Sequence, residues 1–222
     1  MTDRWATFDC YGTLIDWHGG VRSGLERIFG AEHGERLLAR YHEVEPEIQS
    51  AQPGMSYRRV MAETLGRIAG EEGRELTAHE REALGESLPG WPVHPDVPPA
   101  LEEARERGWR LVILSNTDRE FIEASMQAIG VPFEMAIVAS EIGSYKPAHA
   151  HWHAFYEQTD ANPKQHVHVA ESNFHDIGPA RELGIPSVWI NRRGMDARVT
   201  PDREQPDLTG LAETLDGLVP PG

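Results

Sequence analysis

Four polar positions follow apolar runs along the 222-residue chain. Asp9 closes Trp5-Ala-Thr-Phe, Ser115-Asn116 closes Arg110-Leu-Val-Ile-Leu, and Glu171-Ser172 closes His166-Val-His-Val-Ala. Lys146 stands in the loop beyond Met135-Ala-Ile-Val-Ala. A carboxylate is a usable covalent nucleophile, because the ester it forms can later be cleaved by water. A neighbouring cation favours the ionised carboxylate, so Lys146 would hold Asp9 charged and oriented. Ser115 and Asn116 offer hydroxyl, amide and backbone donors for an anion or a leaving group. Asp176, five residues past Glu171, would position the lysine or a water. Taken singly, each has an ordinary alternative: Asp9 capping a turn, Ser115-Asn116 capping a helix, Lys146 solvated at the surface. Only convergence turns them into a reaction centre.

Convergence depends on the elements that carry them. The first apolar run ends in Tyr11-Gly12-Thr13, which reads as a buried strand closed by a tight loop. From Val21 to about Leu88 the pattern is helical, as over Glu35 to Ser50 and Met55 to Ala69. After Pro89-Gly90-Trp91-Pro92-Val93-His94-Pro95, helix and strand alternate. Helices are expected over 101–107, 119–129, 148–159 and 177–183, with strands over 110–115, 135–139, 166–170 and 187–191. A short helix near 208–218 ends a tail rich in Pro, Asp and Gly. Strands separated by helices imply right-handed parallel crossovers and an α/β doubly wound sheet. Such sheets bind ligands beyond the strand carboxyl ends, where all four positions fall. Residues 1–15 and 95–222 are thus expected as the core domain, and 16–94 as a helical cap inserted after the first strand.

Composition narrows the partners. With 39% hydrophobic and 26% charged residues the chain has a globular balance. A net charge of −15 repels phosphate backbones, which argues against nucleic acid. The opening MTDRWATFDC lacks a basic segment followed by an apolar run, and no stretch approaches the roughly 18 apolar residues that span a bilayer. Cys10 is the single cysteine, so no disulfide framework exists within the chain. A cytoplasmic protein acting on a small molecule, without a membrane and as a monomer or homodimer, is the expectation.

Phe8-Asp-Cys-Tyr-Gly-Thr-Leu14, Leu114-Ser-Asn116, Tyr145-Lys-Pro147 and Ala170-Glu-Ser-Asn-Phe-His-Asp176 resemble the four ordered motifs of the haloacid dehalogenase superfamily. The resemblance implies a Rossmann-like core with a helical cap and Asp9 as nucleophile. In phosphatases of that superfamily a second aspartate, two residues after the nucleophile, protonates the leaving alcohol. Here that position is Tyr11, and an alkoxide leaves poorly without a proton, whereas a halide needs none. The Asp-x-Tyr-Gly-Thr form is similar to that of the 2-haloacid dehalogenases. That resemblance implies displacement of halide from the carbon beside a carboxylate, with no cofactor required. It assigns Asp9, Thr13, Lys146, Glu171 and Asp176 to catalysis. Tyr11, Ser115, Asn116, Ser172 and Asn173, with Arg40 and Trp152, would meet the small carboxylate substrate.

Two departures keep alternatives open. Glu171 replaces the serine of typical dehalogenases and matches an acidic magnesium ligand of the phosphatases, so a Mg2+ site on Asp9, Glu171 and Asp176 is the variant reading. The cap has no motif that anchors a halide-gathering arginine: Arg40 lies in the right region, with Arg58 and Arg59 as substitutes, and Trp152 replaces an expected tyrosine. The chain also looks like a subgroup that includes azetidine-2-carboxylate hydrolase. Opening that ring requires a proton for nitrogen, from Glu171 or His175. A magnesium phosphatase and a catalytically silent binding protein complete the alternatives. His149, His151 and His153 read as a polar helix start rather than a zinc site. Arg192-Arg193 reads as a solvated edge.

Overall fold

The computed structural model describes residues 3–222. Six strands, β1 (Arg4–Phe8), β2 (Trp109–Ser115), β3 (Met135–Val138), β4 (His166–Ala170), β5 (Ser187–Ile190) and β6 (Arg203–Gln205), form one sheet in the order β3-β2-β1-β4-β5-β6. Every pairing is parallel, so each return to the sheet requires a crossover. The helices are α1 (Trp17–Phe29), α2 (Gly34–Ala51), α3 (Tyr57–Glu71), α4 (Ala78–Ser87) and α5 (Val97–Glu106) between β1 and β2. They continue with α6 (Arg119–Ile129), α7 (Ala139–Ile142), α8 (Ala150–Thr159), α9 (Gly178–Glu182) and α10 (Leu211–Leu218). Among the described residues no helix is long and apolar enough to cross a membrane.

The strands read as unbroken apolar runs because both sheet faces are covered. Ala6, Phe8, Leu111, Ile113, Val167 and Val169 share the main core with residues of α5 and α10. Their alternates Trp5, Val112 and Leu114 pack with Trp152 and Phe155 of α8 and Ala180 of α9. Period-two alternation therefore sorts side chains to two layers rather than to inside and outside.

Two elements differ from expectation. The sixth strand, Arg203-Glu-Gln, is largely exposed and has no apolar signature; it is a short, charged edge strand of the kind that resists further pairing. The helix expected over 177–183 begins earlier as a π-helical turn, Asn173–Ile177, that passes into α9. Ser172 Oγ accepts a hydrogen bond from the His175 backbone N–H at its start.

The two strands of chain joining β1 to α1 and α4 to α5 run side by side. Asp16 N–H donates to Pro92 O at 2.8 Å and His94 N–H to Leu14 O at 3.0 Å. Above them Gly20 lies against the Trp91 indole, where a Cβ would stand 2.2 Å from a ring carbon. The helices also touch the rest of the molecule at Asp118, whose carboxylate accepts from the backbone N–H groups of Tyr57 (2.8 Å) and Arg58 (2.9 Å). Those are unsatisfied donors of the first turn of α3, so Asp118 caps that helix from across the interface. Tyr145 O–H adds a bond to Met55 O at 2.7 Å.

Candidate active site

Asp9 leaves β1 with its backbone N–H bonded to Val169 O of β4. The chain then turns sharply, with Gly12 at φ +96°, a conformation that a side chain would strain. The turn brings Thr13 back beneath Asp9, and its Oγ1 donates to Asp9 Oδ2 at 2.8 Å. The same oxygen accepts from the Glu171 backbone N–H at 2.8 Å. Thr13 thus ties the end of β1 to the end of β4.

Lys146 is 1% exposed and donates three hydrogen bonds: to Asp9 Oδ1 at 2.9 Å, to Asp176 Oδ1 at 2.6 Å and to Leu114 O at 2.8 Å. All its protons are engaged, which fixes the ammonium between the two carboxylates. Asn116 holds the lysine's backbone, accepting from Lys146 N–H at 2.6 Å and donating to Lys146 O at 2.9 Å. The Asn116 amide is therefore a clamp on the lysine loop. Ser115 Oγ is buried without a partner and lines the cavity.

Beneath Asp176 a polar ladder crosses the sheet under α8. Burial keeps the imidazoles of His168 and His166 below their ordinary pKa, so both are neutral, and the network assigns their tautomers. Tyr156 O–H donates to His166 Nδ1 (2.7 Å), and His166 Nε2–H to Thr7 Oγ1 (2.7 Å). Thr7 O–H then donates to His168 Nδ1 (2.8 Å), and His168 Nε2–H to Asp176 Oδ1 (3.0 Å). Each group donates once toward Asp176.

One ammonium between two carboxylates is shared unequally. Burial works against the charge of Asp176, but Lys146 and the His168 N–H overcome it and hold its carboxyl well below the ordinary range. For Asp9 burial outweighs Lys146, and its pKa is pushed up to about 6. The Lys146 ammonium loses by burial and gains more from Asp176 and Asp9, ending above the ordinary lysine value. Asp9 is thus a comparatively basic carboxylate that is still ionised at neutral pH.

Above Asp9 lies a cavity of about 590 Å3. The sheet side is lined by Asp9, Tyr11, Ser115, Asn116, Lys146 and Asp176, and the β4 side by Glu171, Ser172, Asn173 and His175. Tyr11 donates or accepts at Ser125 Oγ (2.9 Å) and stacks on Tyr57 with ring centroids 6.5 Å apart. The Asn173 side-chain amide is tied to the Val199 backbone, donating to its carbonyl oxygen and accepting from its N–H. The helical side contributes Trp17, His18, His42, Glu45, Gln49 and Tyr57. The aromatic walls are Trp17, Tyr57 and Trp189.

Several expected contacts fall elsewhere. Arg40 is on the outer face of α2, bonded to Glu71 at 2.7 and 2.8 Å and to Glu43 at 2.7 Å, and does not line the cavity. Its substitutes also face outward: Arg58 binds Glu120 at 3.0 Å and Arg59 lies near Glu63. Trp152 is fully buried against the His168 ring, 5.1 Å between centroids, so it supports the polar ladder and forms no wall of the cavity. Glu171 has its own cation, Arg193 at 2.9 Å, with the His18 ring at 3.5 Å. Burial raises its carboxyl, but those two neighbours prevail and its pKa lies below the ordinary value. It is therefore an anion, not an acid that delivers a proton. His175, pushed down to about 4 by burial, is a neutral imidazole and does not deliver one either.

The donor set does not suit magnesium. A hard divalent ion needs several carboxylate oxygens free to ligate it, whereas Asp9 has both oxygens engaged, by Lys146 and Thr13, Glu171 is paired with Arg193, and Asp176 keeps only Oδ2 free beside the Lys146 ammonium. Among the described residues no group of three or more acidic, His or Cys side chains is arranged to hold a metal ion.

Sequence reasoning missed His18, His42, Glu45 and Gln49, and it placed Arg193 on a solvated edge rather than on the cavity. The α2 positions carry a signal: 42, 45 and 49 follow the three-to-four spacing of one helix face. That face is polar yet buried, unlike a solvated one.

A six-stranded parallel sheet with an aspartate at the end of an interior strand, salt-bridged to a buried lysine under a ligand-sized cavity, defines an α/β protein with a carboxylate–ammonium site. The model of the haloacid dehalogenase-like hydrolases matches residues 4–184, and the chain belongs to that family of hydrolases. It is 28% identical over 215 residues to (S)-2-haloacid dehalogenase H-109 of Pseudomonas putida, covering 94% of this chain and 96% of that protein. To the phosphoserine phosphatase of Thermus thermophilus it is 29% identical over 189 residues, covering 82% and 74%. The fold is that of the L-2-haloacid dehalogenase of Xanthobacter autotrophicus with chloropropionic acid covalently bound. That comparison gives a TM-score of 0.84 at 18% identity, covering 97% of this chain and 99% of that one.

Proposed function

We propose that the protein hydrolyses a small 2-substituted carboxylic acid, a 2-haloacid foremost, through an ester on Asp9. The observation that carries this reading is the buried Asp9 carboxylate, oriented by Lys146 and Thr13 with Tyr11 at the place where a phosphatase requires an acid. An Asp9 oxygen attacks C2 from the side opposite the halogen; the C–O bond forms as the C–halogen bond breaks, and the halide leaves with the electron pair. Water then attacks the ester carbonyl, releasing the 2-hydroxy acid, a proton and the free Asp9 carboxylate. Lys146 stabilises Asp9 before attack and after hydrolysis. Asp176 Oδ2, buried and without a partner, is the acceptor left on the floor of the cavity to orient that water. The unpartnered Ser115 hydroxyl and the Asn116 backbone N–H are the donors for the substrate carboxylate, supplemented by Ser172. Residues 16–94 serve as the cap over residues 1–15 and 95–222. Relatives named as 2-haloacid dehalogenases along nearly the whole chain support the same chemistry.

The test is halide release from (S)-2-chloropropanoate with magnesium or with EDTA, beside phosphate release from a generic phosphate ester. Halide release indifferent to EDTA is expected. Turnover in heavy-oxygen water should label the peptide containing Asp9, since the bridging ester oxygen leaves with the 2-hydroxy acid and the oxygen of the attacking water takes its place on Asp9. Asp9→Asn should lower the rate by about 10^4-fold or more, as removal of a covalent nucleophile does. Magnesium-dependent phosphate release with the haloacid inert would overturn the reading.

A further inference from the structure

The cavity wall formed by α1, α2 and α3 contains no lysine or arginine; the residues it presents are Trp17, His18, His42, Glu45, Gln49 and Tyr57, with Glu43 at the margin. The cap's arginines are turned outward to acidic partners, as Arg36 is to Glu72, Arg40 to Glu71 and Arg67 to Glu47. A wall meant only to collect a small anion would present donors. This one presents a carboxyl, an amide and two imidazoles, with no fixed cation.

Glu45 is 8% exposed and Gln49 is 4% exposed. They stand one helical turn apart on α2, and both line the cavity. A directed chain ends at Glu45: Trp17 Nε1–H donates to Tyr57 Oη at 2.8 Å, and Tyr57 O–H donates to Glu45 Oε1 at 2.9 Å. A glutamine would take that bond equally well without a charge to desolvate, so Tyr57 alone does not account for a carboxylate here. Tyr41 O–H is the carboxyl's other hydrogen-bonding neighbour, and among the described residues no lysine, arginine or histidine pairs with Glu45. Beside it Gln49 Oε1 is buried and makes no hydrogen bond. Burial pushes the Glu45 carboxyl up to about 7, the signature of a charge lacking its counterpart. Buried acceptors without donors are uncommon in folded proteins. One such amide oxygen and, a helical turn away, a buried carboxyl with no cation, both facing a cavity far larger than a three-carbon acid fills, form a subsite.

We infer that Glu45 and Gln49 form a second substrate-binding subsite on the cap, which takes a hydrogen-bond-donating group, an ammonium foremost, carried by the acid at a distance from its carboxylate. This rests on the proposed reading in one respect, that the substrate carboxylate lies at the Ser115 end of the cavity. The class of substrate becomes a 2-substituted acid with an amino or hydroxyl group on its side chain, rather than a bare alkyl haloacid. His18 and His42 flank the subsite with rings 5.0 Å apart.

Unreactive probes test binding apart from turnover. Propanoate, butanoate and pentanoate are compared by calorimetry with 3-aminopropanoate, 4-aminobutanoate and 5-aminopentanoate, using the full chain and its Glu45→Gln and Gln49→Leu variants. At least one amino acid should bind about tenfold or more tighter than its parent acid, the range of a hydrogen bond to a charged group. Glu45→Gln should abolish that preference while leaving the parent acid's affinity unchanged, and Gln49→Leu should reduce it. The melting midpoint checks that each variant is folded, and the Gln49 variant stands alone if the Glu45 variant is not. Parent acids that bind with no gain from any amino group would overturn the subsite and leave the proposed function standing. A preference that survives both substitutions would also overturn it. Failure of either series to bind removes the subsite together with the carboxylate anchor, whereas halide release from 2-chloropropanoate judges the chemistry separately.

Discussion

The floor and the roof of the cavity are built by opposite rules. On the floor, Asp9, Lys146, Asp176, His168, Thr7 and His166 form one continuous network whose donors and acceptors pair in a single direction, leaving Asp176 Oδ2 as its loose end and the Ser115 hydroxyl unpartnered outside it. On the roof, His18, His42 and Gln49 keep buried polar atoms with no partner, and Glu45 keeps a buried carboxyl that meets tyrosine hydroxyls and no cation. A saturated network is rigid, and it fixes geometry before substrate arrives. An unsaturated wall has a cost that a ligand can remove, so it discriminates among ligands. On the function proposed above, that difference assigns the chemistry to the sheet and the choice of substrate to the helices over it.

Breaking the floor should therefore damage fold and activity together. Lys146→Met leaves two buried carboxylates facing each other without a cation, and loss of one partner from a buried ion pair costs about 3–5 kcal/mol. Chemical denaturation should register that loss. The same variant sharpens the electrostatic claim. In the parent protein Asp9 must be ionised to attack and its pKa is about 6, so the rate should fall as pH drops through about 6 and level off above it. Without Lys146 the ionised form loses its main support and any residual activity should need a higher pH. A pH–rate profile that leaves the acid limb unmoved would refute the account of Asp9. His168→Gln is milder: it strands Thr7 or Asp176 in a buried setting, a loss of about 1–3 kcal/mol. Activity should fall less than for Lys146→Met, with the roof's selectivity intact.

The floor was legible in the sequence because a parallel sheet forces strand ends together. Once Asp9, Ser115 and Glu171 each closed an apolar run, topology did the rest, and Lys146 and Asp176 followed from their loops. What the motifs did not carry was the partnering: Glu171 with Arg193, the Asn116 amide on the Lys146 loop, and the ladder through His166 and His168, two histidines inside an apolar strand that read simply as strand residues. The roof was poorly legible for a geometric reason. Successive residues on a helix turn by about 100°, so residues 40 and 42 point to nearly opposite sides. The resemblance suggested that Arg40 would gather the halide. The rotation of α2 is set instead by apolar packing of Leu37, Leu38, Tyr41 and Val44, which turns His42, Glu45 and Gln49 inward and Arg40 outward.

That rotation yields the smallest effect, and the one that most directly tests the comparison. Arg40 sits in an exposed cluster with Glu71 and Glu43, where solvent and salt screen the charges and each side chain loses freedom by pairing. Arg40→Ala should change kcat/KM for any 2-substituted acid by less than about twofold and leave the melting midpoint unmoved. His42→Ala, two residues away, alters the wall itself and should shift KM and the preference among acids, with kcat moving less because the floor is untouched. If the arginine variant instead raised KM sharply while the histidine variant did not, α2 would have to turn on substrate binding. The roof would then be a donor surface after all, and the division between a saturated floor and an accepting roof would fail.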